Sequence, residues 1–150
     1  MESKNKRDLL KRKAIWGFWH VLLPLAIGSS IYYCFCPDVL FVKKIDSFLG
    51  ITRVITPTVF DSFVGKIVRF FLLDAVWAYA LTNICFLIML NNTFLCFFIT
   101  VCLGVLMELA QKLRLSPGTF DVLDMIAESA GALLAVIIIS KFKEVFYEQN

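Results

Sequence analysis

Five carboxylates fall within or beside the long apolar runs of this chain: Asp74, Glu108, Asp121, Asp124 and Glu128. Glu108 and Gln111 are three apart and share a helical face, and Asp121, Asp124 and Glu128 follow an i, i+3, i+7 pattern that also gives one face. Ionisable groups inside membrane spans are costly, so they turn toward a bundle interior or a wet cavity and point by default to a site. Carboxylates and an amide that converge can bind a hard cation through oxygen ligands. They can also accept hydrogen bonds from a sugar, an amine or a peptide headgroup, or hold a proton for acid–base work. A structural role competes with these uses, in which the acids cap helices and tie to Lys112, Arg114, Lys66 or Arg69 to fix the loops. Asp121 and Asp124 suit that role as N-cap and third-position acid of a helix, whereas Glu108 and Glu128 have no capping position. Glu128 lies roughly 10 Å below Asp121 along a helix axis, at ~1.5 Å per residue, so it must be protonated or partnered.

Other reactive groups are sparse. His20 is the only histidine and sits in an apolar run between Trp19 and Pro24, where a satisfied buried histidine or a helix contact is the simplest reading. Asn83, near the middle of a later run, reads as an interhelical hydrogen-bonding residue. The five cysteines, Cys34, Cys36, Cys85, Cys96 and Cys102, form no CxxC pair and have no histidine nearby for zinc. Cys85, Cys96 and Cys102 read as small apolar filler. No nucleophile elbow, phosphate-cradling glycine loop or HExxH occurs. A hydrolase would draw its nucleophile from Ser116, Thr119 or water, with no base evident beside either hydroxyl. The sequence therefore assigns no catalytic residue and leaves any metal or cofactor open.

The elements that must carry these groups are membrane helices. The chain has 150 residues, of which 59% are hydrophobic and 18% charged, fifteen of them Phe, with a mean hydropathy of +0.79. An ordinary soluble domain is about 45–50% apolar. Four runs, 14–36, 70–90, 93–111 and 123–142, reach the ~20 apolar residues that a transmembrane helix needs. The first is too long for a signal-peptide core of ~7–15 residues and lacks a small-x-small cleavage motif. It contains Pro24 and the small stretch Gly28-Ser29-Ser30, and Trp16, Trp19, Tyr32 and Tyr33 mark its two interfaces as an aromatic belt.

The connection 37–69 is too apolar for a free linker. Phe60, Phe63, Val64, Ile67, Val68 and Phe71 recur at helical spacing after Pro57, which predicts an interfacial or partly re-entrant helix feeding the second span. Asn91-Asn92 closes spans two and three into an antiparallel hairpin, and its match to a glycosylation sequon suits a membrane-surface turn poorly. Pro117-Gly118 marks the turn between spans three and four. A helix entering from one side, one leaving by that side and one re-entering there share a rim, so all five carboxylates converge on one side of the bilayer.

The net charge of +3 is concentrated in Lys4, Lys6, Arg7, Lys11, Arg12 and Lys13. Beside a span, such a cluster sets orientation by the positive-inside rule rather than binding nucleic acid. Both termini are then cytoplasmic and the acidic rim extracytoplasmic. The expected organisation is a basic cytoplasmic segment 1–13, a first span 14–36, an extracytoplasmic loop 37–69, a three-helix core 70–142 and a cytoplasmic tail 143–150. The expected fold class is all-α integral membrane, with four transmembrane helices and an interfacial or re-entrant helix before the second.

Met107-Glu108-Leu109-Ala110-Gln111, then Arg114, Ser116-Pro117-Gly118-Thr119-Phe120-Asp121-Val122-Leu123-Asp124 and Gly131, resemble the VanZ-like family of bacterial membrane proteins. Such proteins tend to carry an acid-x-x-Gln at the end of a span, a short loop with Arg or Gly, then Asp-x-x-Asp and a glycine in the next span. Asp74-Ala75-Val76-Trp77-Ala78-Tyr79 looks like the acidic and aromatic opening of the family's second span, and the likeness covers roughly residues 70–140. The chain departs at Glu128, where many relatives carry an amide, and at Trp77, near a frequent histidine. The resemblance implies a protein of the bacterial cytoplasmic membrane, in a family named for a protein associated with low-level teicoplanin resistance. Asp74, Glu108, Gln111, Arg114, Asp121, Asp124 and Glu128 are the expected ligand-binding set. The partners expected are membrane lipids, a cell-wall precursor or glycopeptide ligand, and a membrane-protein partner. A small structural or accessory subunit of a larger membrane complex is the alternative reading.

Overall fold

The computed structural model describes residues 2–35, 40–52, 65, 67, 71–89, 92–116 and 119–144, and every regular element among them is helical. Helix α1 (Glu2–Gly17) runs through a π-helical segment, Phe18–Leu22, into α2 (Leu23–Phe35). Helix α3 is Leu40–Leu49, α4 Leu73–Met89, α5 Thr93–Lys112 and α6 Val122–Phe142. Among the described residues, three helical stretches are long and apolar enough to cross a membrane: Arg7–Cys34, Thr93–Lys112 and Val122–Phe142. Helix α4 is apolar but has 17 residues, a length of about 26 Å, against a hydrocarbon core of about 30 Å.

The basic N-terminal residues are helical from Glu2 and continuous with the first apolar run. Lys and Arg are good helix formers, and nothing in that stretch breaks the ladder. The π-helical segment follows from Pro24. Proline has no N–H to give to the carbonyl four residues back, and just before it the Leu23 N–H reaches Phe18 O, one residue further than an α-helix allows.

Helix α4 is the hub. It packs most extensively on α6, then on α5, and on its far side against α2, the π-helical segment and α1. The α4–α6 contact is made by small residues. Ala127, Gly131, Ala132 and Ala135 of α6 are buried, as are Ala78 and Ala80 of α4. Gly131 lies against the Ala75 backbone, where an added Cβ would fall 2.7 Å from the Ala75 carbonyl carbon. Ala127, Gly131 and Ala135, spaced four apart, thus form a small-residue edge that brings the two backbones together, and in lipid such close backbone approach supplies the packing that hydrophobic burial supplies in water.

At the end of the bundle near Met89, Trp16, Phe86, Cys96, Ala135 and Ile139 form a buried cluster. Trp16, expected in an aromatic belt, is buried against its neighbours in the bundle. Its indole N–H donates to Asn83 Oδ1 at 2.9 Å, and Asn83 Nδ2 donates to the Tyr79 carbonyl at 2.9 Å. Once that donor is satisfied inside the bundle, the ring no longer needs the wet interface. His20 hydrogen-bonds Tyr79 Oη and stacks on Trp16 at 4.0 Å between centroids. Thr82 and Thr100 place their hydroxyls 3.0 Å apart between α4 and α5.

Helix α3 is an element that the hydropathy pattern did not reveal. The helix expected around Phe60–Phe71 falls largely outside the described residues, as do Pro57, Lys66, Arg69, Asn91 and the Pro117-Gly118 turn.

Gly131→Ala should force α4 and α6 apart and lower stability by about 1–3 kcal/mol, the usual cost of overpacking. Reversible unfolding in bicelles, with Ala130→Leu at the exposed neighbouring position as control, measures this. Equal stability of Gly131→Ala and the parent would show that the seam is not tightly packed.

Candidate functional site

The carboxylates of three helices meet at the end of the bundle opposite the Trp16 cluster. Asp74 stands in the first turn of α4, Glu108 in the last turns of α5, and Asp124 and Glu128 in the first two turns of α6. Asp74 lies within electrostatic range of Asp124, Glu128 and Glu108, and its carboxyl group is within hydrogen-bonding reach of Asp124. Glu128 in turn lies near Glu108 and Asp124. It fits because Gly104 of α5 has no side chain, for a Cβ there would overlap the Glu128 carboxylate.

Glu108 is only 4% exposed, and its Oε2 accepts the backbone N–H of Asp121 at 2.8 Å. Asp121 is the N-cap of α6, with its Oδ1 accepting Leu123 N–H at 2.8 Å. A capping box satisfies the N-cap N–H from the helix's own third residue, but here the acceptor comes from the neighbouring helix. Glu108 thereby closes the start of α6 onto the end of α5. Asp124 occupies the third position of α6 as the sequence predicts, yet its Oδ1 is buried without a hydrogen-bond partner.

Helix α5 ends in a Schellman arrangement, with Arg114 N–H donating to Gln111 O at 2.9 Å and Leu115 N–H to Ala110 O at 2.8 Å. Arg114 holds the left-handed position with φ of 58°, a place that favours glycine. Gln111 and Arg114 are joined to the carboxylates by no side-chain hydrogen bond or ion pair among the described residues. Lys112 places its Nζ over the Phe120 ring, 5.1 Å from its centre. The expectation that Lys112 or Arg114 neutralises the acids is thus not met among the described residues. Trp77, which shares a face with Asp74 in sequence, is exposed.

The arrangement restricts the chemistry. No three His, Cys, Asp or Glu side chains among the described residues converge closely enough to hold a metal ion. The Ser116 hydroxyl is buried and has no hydrogen-bond partner, so no described base stands on it. Two carboxylates at hydrogen-bonding range repel unless they share a proton or receive a positive group. The cluster therefore offers acceptor oxygens to a proton or to an external donor. Cys34 is exposed and Cys96 buried, and both are free thiols. The Glu108–Asp121 link was missed in sequence because it depends on how the 113–121 loop folds back.

No protein-family profile, no curated protein and no solved structure matches this chain.

Two substitutions probe the frame of the site. Glu108→Gln keeps an acceptor for Asp121 N–H and should cost little, whereas Glu108→Leu leaves that donor unpaired, at a cost of about 1–3 kcal/mol. Amide exchange at Asp121 should accelerate in the second variant alone, and equal exchange in both would rule out the latch. Arg114→Gly should relieve the left-handed backbone and raise stability by about 1 kcal/mol, unless the guanidinium is engaged by a ligand. Thermal unfolding of the two proteins side by side provides the comparison.

Proposed function

We propose that this chain is a four-span, VanZ-like integral protein of a bacterial cytoplasmic membrane, with both termini cytoplasmic. Its extracytoplasmic acidic cluster binds the cationic or hydrogen-bond-donating part of an envelope-associated ligand such as a cell-wall precursor, in a role related to glycopeptide resistance of the teicoplanin type. The observation that carries the binding reading is the buried, unpartnered Asp124 Oδ1 beside Asp74, in a cluster with no described counter-charge. A group of acceptors left unsatisfied inside an apolar bundle is costly unless something arrives to satisfy it. The four-span topology is supported by the central place of α4, which is enclosed by the three longer apolar helices although it falls short of a full span by length. The orientation rests on the basic cluster that precedes the first span.

The geometry divides the expected ligand set. Glu108 and Asp121 are occupied by the inter-helix latch and the N-cap, which favours a structural role for these two. Asp74, Asp124 and Glu128 remain as the acceptors with free capacity. Gln111 and Arg114 sit at the rim, where they could meet only the more exposed part of a ligand. The same latch is the observation that favours the second reading, a small accessory subunit whose acids fix the fold. Acid–base catalysis on a lipid-linked substrate ranks below both, because no described base stands on Ser116 and no other nucleophile is evident.

Asp124→Asn separates the two leading readings. The substitution removes the repulsion with Asp74 while keeping size, so it should leave stability unchanged or raised. If the cluster binds a ligand, teicoplanin protection of cells carrying the parent chain should be lost with Asp124→Asn at matched membrane levels. Protection retained by the variant would overturn the binding role, and protection by neither protein would overturn the resistance role and favour the accessory-subunit reading.

A further inference from the structure

Helix α3 carries a surface that the bundle does not use. Its apolar residues, Val42, Ile45, Phe48 and Leu49, fall within one broad face, and Lys43, Lys44, Asp46 and Ser47 lie on the other. The body of the protein takes only one edge of the apolar face. Val42 is fully buried, whereas Phe48 is 89% exposed and Leu49 58% exposed, with Ile51 exposed just beyond the helix. Lys44 and Lys43, both exposed, stand on the polar face, Lys44 next to the Phe48 edge.

The height of this surface is set by its neighbours. Helix α2 ends at Phe35 and α3 begins at Leu40, so α3 starts at most five residues from the end of a stretch long and apolar enough to cross a membrane. Tyr33, in the last turn of α2, donates its hydroxyl to Asp46 Oδ1 at 2.7 Å. That bond ties the polar side of α3 to the end of the span. A helix held there, with bulky apolar side chains on one edge and lysines beside them, matches the pattern of helices lying in the plane of the interface. Basic residues near the surface attract anionic lipid, at about 1 kcal/mol per Lys.

We infer that α3 is an in-plane membrane anchor, with Phe48 and Leu49 entering the acyl boundary and Lys44 holding the phosphates of anionic phospholipids in the bilayer that α2 enters. The anchor lies at the same end of the bundle as the carboxylate cluster, since the α2 end pairs with the α4 start through Gly28 and Val76. Lipid held by α3 is therefore a neighbour of the acidic site rather than its ligand, and the anchor does not depend on what that site binds.

The test uses the full chain in nanodiscs of phosphatidylcholine alone and of phosphatidylcholine with one quarter phosphatidylglycerol. Spin labels are placed at Phe48→Cys and, on the polar face, at Ser47→Cys, with Cys34 and Cys36 changed to Ser. The label at 48 should collide with oxygen and be shielded from a water-soluble nickel chelate, and the label at 47 should do the reverse. Enrichment of phosphatidylglycerol around the protein, read by a headgroup probe, should fall about fivefold in Lys44→Gln and be independent of Asp124→Asn. Water exposure of both labels would overturn the anchor. A label at 48 shielded from oxygen and nickel alike would overturn it too, because a protein surface would then cover the edge. Oxygen exposure at 48 with no loss of phosphatidylglycerol in Lys44→Gln would remove the anionic-lipid half of the inference.

Discussion

The close approach of α6 to α4 at Gly131 is the constraint on which the rest of the arrangement depends. Only with no side chain there can the α6 backbone rest on Ala75, and Ala75 is next to Asp74. The seam that packs the bundle therefore also brings the α4 acid beside Asp124 of α6. A second missing side chain, at Gly104, makes the pocket in α5 that receives Glu128. In an apolar solvent, packing of this kind is the main source of helix association. The positions that allow it here are the same ones that bring four carboxylates together. Stability and the candidate site are thus two consequences of one set of small residues.

The two ends of the bundle handle buried polarity in opposite ways. Near Met89, buried polarity is paired within the bundle: Trp16 donates to Asn83, Asn83 to the Tyr79 carbonyl, and His20 hydrogen-bonds the Tyr79 hydroxyl. At the other end the described side chains that meet in the cluster are all carboxyl groups. Backbone N–H groups of the α6 start absorb two of them, through Glu108 and through the Asp121 cap, and the positive end of the helix dipole favours the charges placed there. Asp124 stands in the same first turn, yet its Oδ1 meets none of these donors, and the Asp74 carboxyl lies beside it. This imbalance distinguishes a place that could receive something from a place that is merely filled.

Much of this was legible in the sequence, for specific reasons. Convergence of the acids on one end follows from the order of the apolar runs, which alternate direction whatever their packing. The small-residue edge of Ala127, Gly131 and Ala135 and the capping position of Asp121 are local patterns, readable from spacing alone. Trp16 was not legible, because a tryptophan near a span end is equally suited to an interface, and only the position of Asn83 across the bundle decides. Helix α3 escaped because Leu40–Leu49 mixes two lysines and an aspartate into an apolar stretch, while the residues after Pro57 show a stronger aromatic period. The spacing of Glu108 and Gln111 marks Glu108 as a candidate ligand, yet what Glu108 touches is the Asp121 N–H thirteen residues on, which no spacing rule contains.

An acid near the end of one span and two acids opening the next need not be three equivalent ligands. Glu108 and Asp121 both bind N–H groups at the opening of α6, one from outside the helix and one from within, so together they fix where α6 begins relative to α5. Asp124 and Glu128 lie three and seven residues further on, and their depth and direction are set by that start. A ligand that neutralised Asp74 and Asp124 would act on the α4–α6 pairing itself, because these two side chains, one from each helix, meet between them. Binding at the cluster and tightening of the bundle are then coupled by geometry: whatever relieves the repulsion between the two acids favours the close-packed arrangement that brought them together.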